Sequence, residues 1–187
     1  MIKIYQLLLG VLLLLSIQSK SQISLSGPAY TQDFNSLALS GTSSTLPAGW
    51  LMLETGTNAN LLYTAGTGSS NAGDTYSFGA AANAERAFGG LLSGSLTPTI
   101  GASFTNNTGS TLTSLTISYT GEQWRLGASP RATNDRLDFQ YSVNATSLST
   151  GTWTDENGLD FTAPIGTGTV GLLDGNAVAN RTNITFT

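Results

Sequence analysis

Ser114 to Arg125 reads SLTISYTGEQWR, and its alternation constrains the fold more than any other stretch of the chain. Leu115, Ile117 and Tyr119 fall on one side of an extended backbone and Thr116, Ser118 and Thr120 on the other, the period-2 pattern of a strand burying one face. The opposite face is left for water or a second layer. Gly121 interrupts the run, and a glycine inside a strand pattern often marks a bulge that shifts the pleat by one step. Without a bulge, Glu122 and Trp124 continue the outward set. With one, they join Leu115, Ile117 and Tyr119 on the inner face.

Similar runs recur about every ten residues between Gly and Asn clusters, and no long segment carries a 3.6-residue apolar period. The expected fold is therefore all-β, an antiparallel two-sheet sandwich of jelly-roll type. Strands are predicted at 30–34, 50–54, 60–64, 75–78, 87–91, 99–106, 112–119, 136–143, 159–161 and 183–186. Ala80 to Arg86 (AAANAER) is the one plausible helical turn. Leu137, Phe139, Tyr141 and Val143 alternate with Arg136, Asp138, Gln140 and Ser142, so 136–143 is expected to pair antiparallel with 114–125. Asn106 to Ser110 (NNTGS) is a clear turn. It would make 99–106, 112–119 and 136–143 a central meander.

The N-terminus reads as something other than this domain. Lys3 provides a positive start, Leu7 to Ile17 an apolar region too short to span a bilayer, and Ser19 and Ser21 a small-x-small cleavage site. Residues 1–21 are thus expected to be a signal peptide and 22–187 one exported domain, secreted or at the cell surface. Both lysines, Lys3 and Lys20, precede the cut, and the chain has no His and no Cys. Eleven acids against five arginines then leave a net charge of −6. An acidic surface without lysine repels phosphate backbones, so nucleic acid is not an expected partner, nor is membrane insertion after cleavage.

DFNSL (33–37), LPAGW (46–50), TYSFG (75–79), AERAFG (84–89), SLTISYTGEQWR, RLDFQYSV (136–143), GTWT (151–154) and LLDGNAVANR (172–181) together resemble a β-sandwich module near the N-termini of secreted bacterial proteins. Such modules occur in Bacteroidetes-type proteins with surface-sorting tails. The resemblance covers most of residues 30–187. It implies a jelly-roll or lectin-like sandwich placed outside the cell, beside other domains of a longer chain, and implies no established activity. Relatives continue into further strands with an acidic IDD segment, so the domain is expected to lack its last strands.

The missing side chains exclude much chemistry. Without His, Cys or Lys the mature domain can build no Ser-His-Asp or Cys-His site, no thiolate or histidine zinc site and no Schiff base. Paired carboxylates acting on a glycosidic bond are the surviving enzyme mechanism, with Glu122, Asp135, Asp138, Asp155, Glu156 and Asp160 as the acids near the expected central strands. GTGTVG (166–171) has the letters of a dinucleotide loop but no helix pattern after it. No cofactor and no catalytic metal are expected. Hard oxygens at Asp155, Asn157 and Asp160, or at Asp174 and Asn176, would suit a structural calcium ion, although DENGLD lacks EF-hand spacing.

Glu122, Trp124 and Arg125 form the most suggestive binding trio. An exposed Trp beside a carboxylate and a guanidinium can stack on a sugar ring and bond its hydroxyls. The competing reading puts Trp124 in the core after a Gly121 bulge, with Glu122 paired to Arg136, and is favoured because Trp is highly buried on average. The expected function is a non-catalytic binding or adhesion module, with a glycan or cell-surface polymer as partner. The alternatives are a carboxylate-dependent glycoside hydrolase and a structural spacer.

Overall fold

The computed structural model describes residues 21–27 and 29–187. The expected signal peptide, Ser21 excepted, lies outside the described residues. The first half of the chain contains β1 (Ile23–Leu25), β2 (Thr42–Ser43), β3 (Trp50–Thr55), β4 (Tyr63–Gly66), β5 (Asp74–Phe78), β6 (Ala87–Leu91), β7 (Thr97–Ala102) and β8 (Phe104–Asn106). The second half contains β9 (Ile117–Glu122), β10 (Arg125–Leu126), β11 (Arg136–Leu137), β12 (Gln140–Tyr141), β13 (Thr154–Asp155), β14 (Phe161–Thr162), β15 (Gly171–Leu172) and β16 (Arg181–Phe186). The fold is all-β, as the alternation requires. Among the described residues no helix is long and apolar enough to cross a membrane.

One sheet has four strands in the order β2-β4-β5-β6, and the remaining strands pair in twos. Pairing is antiparallel except for β1 with β8 and β4 with β5. Leu37, Tyr63 and Phe88 form the centre of the N-terminal core, with Phe34, Leu46, Trp50, Met52 and Ile100 packed around them. Phe34 and Trp50 meet edge to face with centroids 4.6 Å apart, a favoured aromatic geometry. The buried Tyr63 hydroxyl donates to the Thr45 carbonyl and accepts from the Ala38 amide, both at 3.0 Å, so no polar group is stranded in this core.

The expected pairing of 114–125 with 136–143 does not form. β9 pairs with β16 instead, from Ile117 opposite Phe186 to Glu122 opposite Arg181, and β11 pairs with β14. The central meander is therefore absent. The 136–143 run splits in two, because the short 3₁₀ turn at Asn157–Leu159 interrupts its partner and absorbs Leu159. NNTGS does turn, with the Asn106 side chain accepting the Thr108 amide at 3.1 Å.

Several smaller expectations also change. Residues 30–34 form no strand: Phe34 sits at φ 60° and its carbonyl accepts the Leu37 amide in a turn. The predicted 60–64 strand begins at Tyr63, since the Asn60 amide is used by Glu54 and its side chain by the Leu62 amide. The 99–106 run breaks at Ser103, where pairing passes from β3 to β1. The strand predicted at 112–119 starts at Ile117. AAANAER is a turn rather than a helix, with Ala82 at φ 58°.

Gly121 makes no bulge, because the β9–β16 register runs through it without a skipped residue. It is there for space. A Cβ at this position would lie 2.1 Å from Phe161 Cδ2, so only glycine lets the aromatic ring lie against the strand. On the other face, cross-strand pairs are polar: Ser118 with Thr185 at 2.7 Å and Thr120 with Asn183 at 2.8 Å. We predict that Gly121→Ala lowers stability by about 1–3 kcal/mol through overpacking. Gly94→Ala, at a position where an added Cβ meets nothing within 4 Å, should change it by less than ~0.5 kcal/mol. Urea unfolding of the two variants checks both values.

Candidate functional site

The unbroken register through Gly121 keeps Glu122 on the outward set, the side of Ser118 and Thr120, and the Trp124 indole joins it there through its bond to the Glu122 carboxylate. That side is nevertheless covered at this end of the strand. Trp124 is 4% exposed and lies parallel to Phe78, ring centroids 6.2 Å apart and planes 5° apart. Phe78 stacks in turn on Tyr76 at 4.9 Å. Glycines on two loops admit the indole and its backbone. A Cβ at Gly175 would fall 2.3 Å from Trp124 Nε1, and one at Gly68 would fall 1.9 Å from the Trp124 carbonyl oxygen.

Most polar atoms of this cluster have partners, while Arg125 Nε and Arg181 Nε are buried without one. Trp124 Nε1 donates to Glu122 Oε2 at 3.0 Å, and Arg181 Nη2 donates to Glu122 Oε1 at 2.9 Å. Arg181 also reaches Asn176 Oδ1 at 2.6 Å, and the Asn176 amide donates to Glu85 Oε2 at 2.6 Å. Arg125 Nη1 donates to the carbonyls of Gly68 and Ser69, each at 3.0 Å. Burial raises the Glu122 pKa, opposed by hydrogen bonds from Trp124 and Arg181, while repulsion from Glu85 adds to the rise. The expected ion pair of Glu122 with Arg136 is replaced by the one with Arg181, the residue opposite it in the β9–β16 register.

The structure thus brings Glu122, Trp124 and Arg125 into one neighbourhood, but as a junction between the halves of the molecule. The Glu122 side chain is 9% exposed and no indole face is open. Gln123, which motif reasoning passed over, points to the opposite side and clamps a second segment. Its amide donates to the Ile165 carbonyl at 2.9 Å and accepts the Ile165 amide at 2.8 Å.

A second cluster is exposed at all its members but Asp160, whose side chain is 8% exposed. Arg136, Asp138 and Gln140 form a row two residues apart: Arg136 bonds Asp138, and Gln140 Nε2 donates to Asp138 Oδ2 at 2.9 Å. Arg136 Nη1 also donates to Asp160 Oδ2 at 2.6 Å, while Asp160 Oδ1 accepts the Phe139 amide at 2.8 Å. Gln140 stands opposite Asp155, and carboxylate oxygens of Asp138, Asp155 and Asp160 lie within 4.8 Å of one another. Trp153 immediately precedes β13. Trp153 is 36% exposed, and its indole N–H is tied to the Thr150 carbonyl at 2.9 Å. The R-x-D-x-Q spacing, visible in the sequence as the polar half of an alternating strand, was the signal for this row.

Two of the expected calcium ligands, Asp155 and Asp160, meet here, with Asn157 opening the 3₁₀ turn between them. Arg136 already supplies positive charge between Asp138 and Asp160. The other expected set is an Asx turn, the Asn176 amide donating to Asp174 Oδ1 at 3.0 Å, and the Asn176 side chain is taken by Glu85 and Arg181.

Trp124→Ala should cost about 3–5 kcal/mol of stability, the range for removing a buried aromatic. Trp153→Ala should cost under ~1 kcal/mol, as expected for a partly exposed side chain. Urea unfolding of each variant measures the difference. No family model, curated protein or solved structure matches the chain.

Proposed function

We propose that this chain is a non-catalytic β-sandwich module of a larger secreted or surface protein, acting in binding or adhesion with a carbohydrate as its ligand. The observation that carries the reading is the row of Arg136, Asp138 and Gln140, with Gln140 opposite Asp155 on β13, the strand that the partly exposed Trp153 leads into. An exposed indole offers a flat apolar face for a sugar ring, and preformed carboxylate, amide and guanidinium groups offer acceptors and donors for its hydroxyls. Their mutual hydrogen bonds hold these groups in place before a ligand arrives, which lowers the ordering cost of binding. Export is supported by the leader composition and by the resemblance to modules of secreted bacterial proteins.

In this reading the recognising indole is that of Trp153, 36% exposed, and not the enclosed one of Trp124. The same three carboxylates are what a glycoside hydrolase reading would draw on, since two acids flanking a sugar are its minimum. A polysaccharide panel separates the two readings. Wild-type protein is expected to retain a glycan without releasing reducing ends. Trp153→Ala should weaken retention by about 2 kcal/mol, near thirtyfold. Failure of wild type to retain any glycan, or equal retention by Trp153→Ala, would overturn the binding proposal. Release of reducing ends that stops in Asp155→Asn would establish the hydrolase instead.

A further inference from the structure

Glu54 on β3 and Asp74 at the start of β5 are two acids that belong to neither cluster above. They converge on one donor. The Thr75 amide donates to Glu54 Oε1 at 2.8 Å and to Asp74 Oδ1 at 2.9 Å, which brings an oxygen of each carboxyl group to the same nitrogen. Glu54 is 7% exposed and Thr75 is fully buried. Glu54 also accepts the Thr75 hydroxyl at 2.8 Å and the Asn60 amide at 3.0 Å, and Asp74 Oδ2 accepts the Thr64 hydroxyl at 2.5 Å.

No arginine forms an ion pair with either acid among the described residues. The surrounding strands bring little charge. β6 and β7 carry no titratable side chain, and the β4 Tyr63 hydroxyl is used by Thr45 and Ala38. Tyr76 of β5 donates to the Ala72 carbonyl and accepts from the Ser70 hydroxyl, and Arg125 is held by Gly68 and Ser69. Two like charges in a water-poor site, with no cation between them, favour a state in which one is neutralised by a proton.

We propose that in mildly acidic solution Glu54 and Asp74 hold a single proton between them, making the β3–β5 contact a carboxyl–carboxylate clasp that responds to pH. The proton resides on Asp74, whose carboxyl is pushed up by burial and by its hydrogen bond with, and repulsion from, Glu54, against the Thr64 hydrogen bond. Burial also works to raise Glu54, but hydrogen bonds from Asn60, Thr75 and Asp74 outweigh it and hold Glu54 below its ordinary value.

The two acids act on stability with opposite sign. The folded state keeps a proton on Asp74 that the unfolded chain releases, so this stabilisation is full below the ordinary Asp value and is lost as pH rises through the raised one. The Glu54 contribution is present above the ordinary Glu value and is lost as pH falls through the lowered one. The clasp is strongest between these limits.

Carboxyl-carbon NMR titration of the folded wild-type protein from about pH 3 to about pH 8 tests this without any variant. The expected result is two separated steps, Glu54 below and Asp74 above the ordinary carboxylate range, each signal perturbed by the other's titration. Two independent steps at ordinary values would overturn the proposal. Asp74→Asn, which keeps a neutral partner for Glu54, should flatten the decline of the urea midpoint on the high-pH side of the clasp. An unchanged pH profile in that variant would also overturn it.

Discussion

The parallel packing of Trp124 on Phe78 is the aromatic contact between the two halves of this molecule, flanked by the bonds of Arg125 to Gly68 and Ser69 and of Asn176 to Glu85. Phe78 ends β5 in the N-terminal sheet, and Trp124 lies between β9 and β10 in the C-terminal half. A Trp side chain removes some 150–250 Å² from water, and a well-placed aromatic partner adds about 0.5–1.5 kcal/mol beyond that area. The indole N–H would oppose this burial if it were left without an acceptor, and Glu122 provides one. Glu122 is in turn balanced by Arg181, so the carboxylate keeps a charged partner where water is scarce. Gly68 and Gly175 have no side chains because the tryptophan occupies the space.

Around this contact the protein relies on buried polar ties in place of disulfides, for it has no cysteine. Arg86 is buried, with Nε donating to Ser77 Oγ at 2.8 Å and Nη2 to the Gly66 carbonyl at 3.3 Å and to the Ser77 carbonyl, which ties β4 and β5 to the start of β6. Burial lowers the Arg86 pKa, offset by the nearby Glu85. Gln123 and Glu54 play comparable parts at other seams. Each removes the cost of an unsatisfied buried backbone group as well as adding a bond of its own. Loops that carry no regular structure are thereby held against the strands.

The all-β class and most strand positions were legible in the sequence, because alternation is a local property of a half-buried strand. Ala87 to Leu91 is recovered to the residue, and Trp50 to Glu54 and Thr75 to Phe78 to within one. Partner choice was not legible. Leu115, Ile117 and Tyr119 match the 136–143 alternation as well as that of Arg181 to Phe186, and nothing local distinguishes the two. The cross-strand match of Glu122 with Arg181 was the available clue, but Arg136 offered the same charge. Gly121 misled for a related reason: a strand glycine marks either a bulge or a close approach, and Phe161, forty residues on, decides between them. The burial of Trp124 was anticipated, although it arises from a second layer over the outward face rather than from a shift of the pleat. The open cluster at Arg136, Asp138, Gln140 and Asp155 stayed hidden because its members come from opposite sides of a long loop.

Whether Trp124 is sealed between the halves of the fold can be read from acrylamide quenching of a variant in which it is the sole tryptophan, with Trp50 and Trp153 replaced by Phe. A sealed indole should give blue-shifted emission and quenching far weaker than that of the same chain in urea. Red-shifted emission with quenching equal to that of the unfolded chain would contradict it.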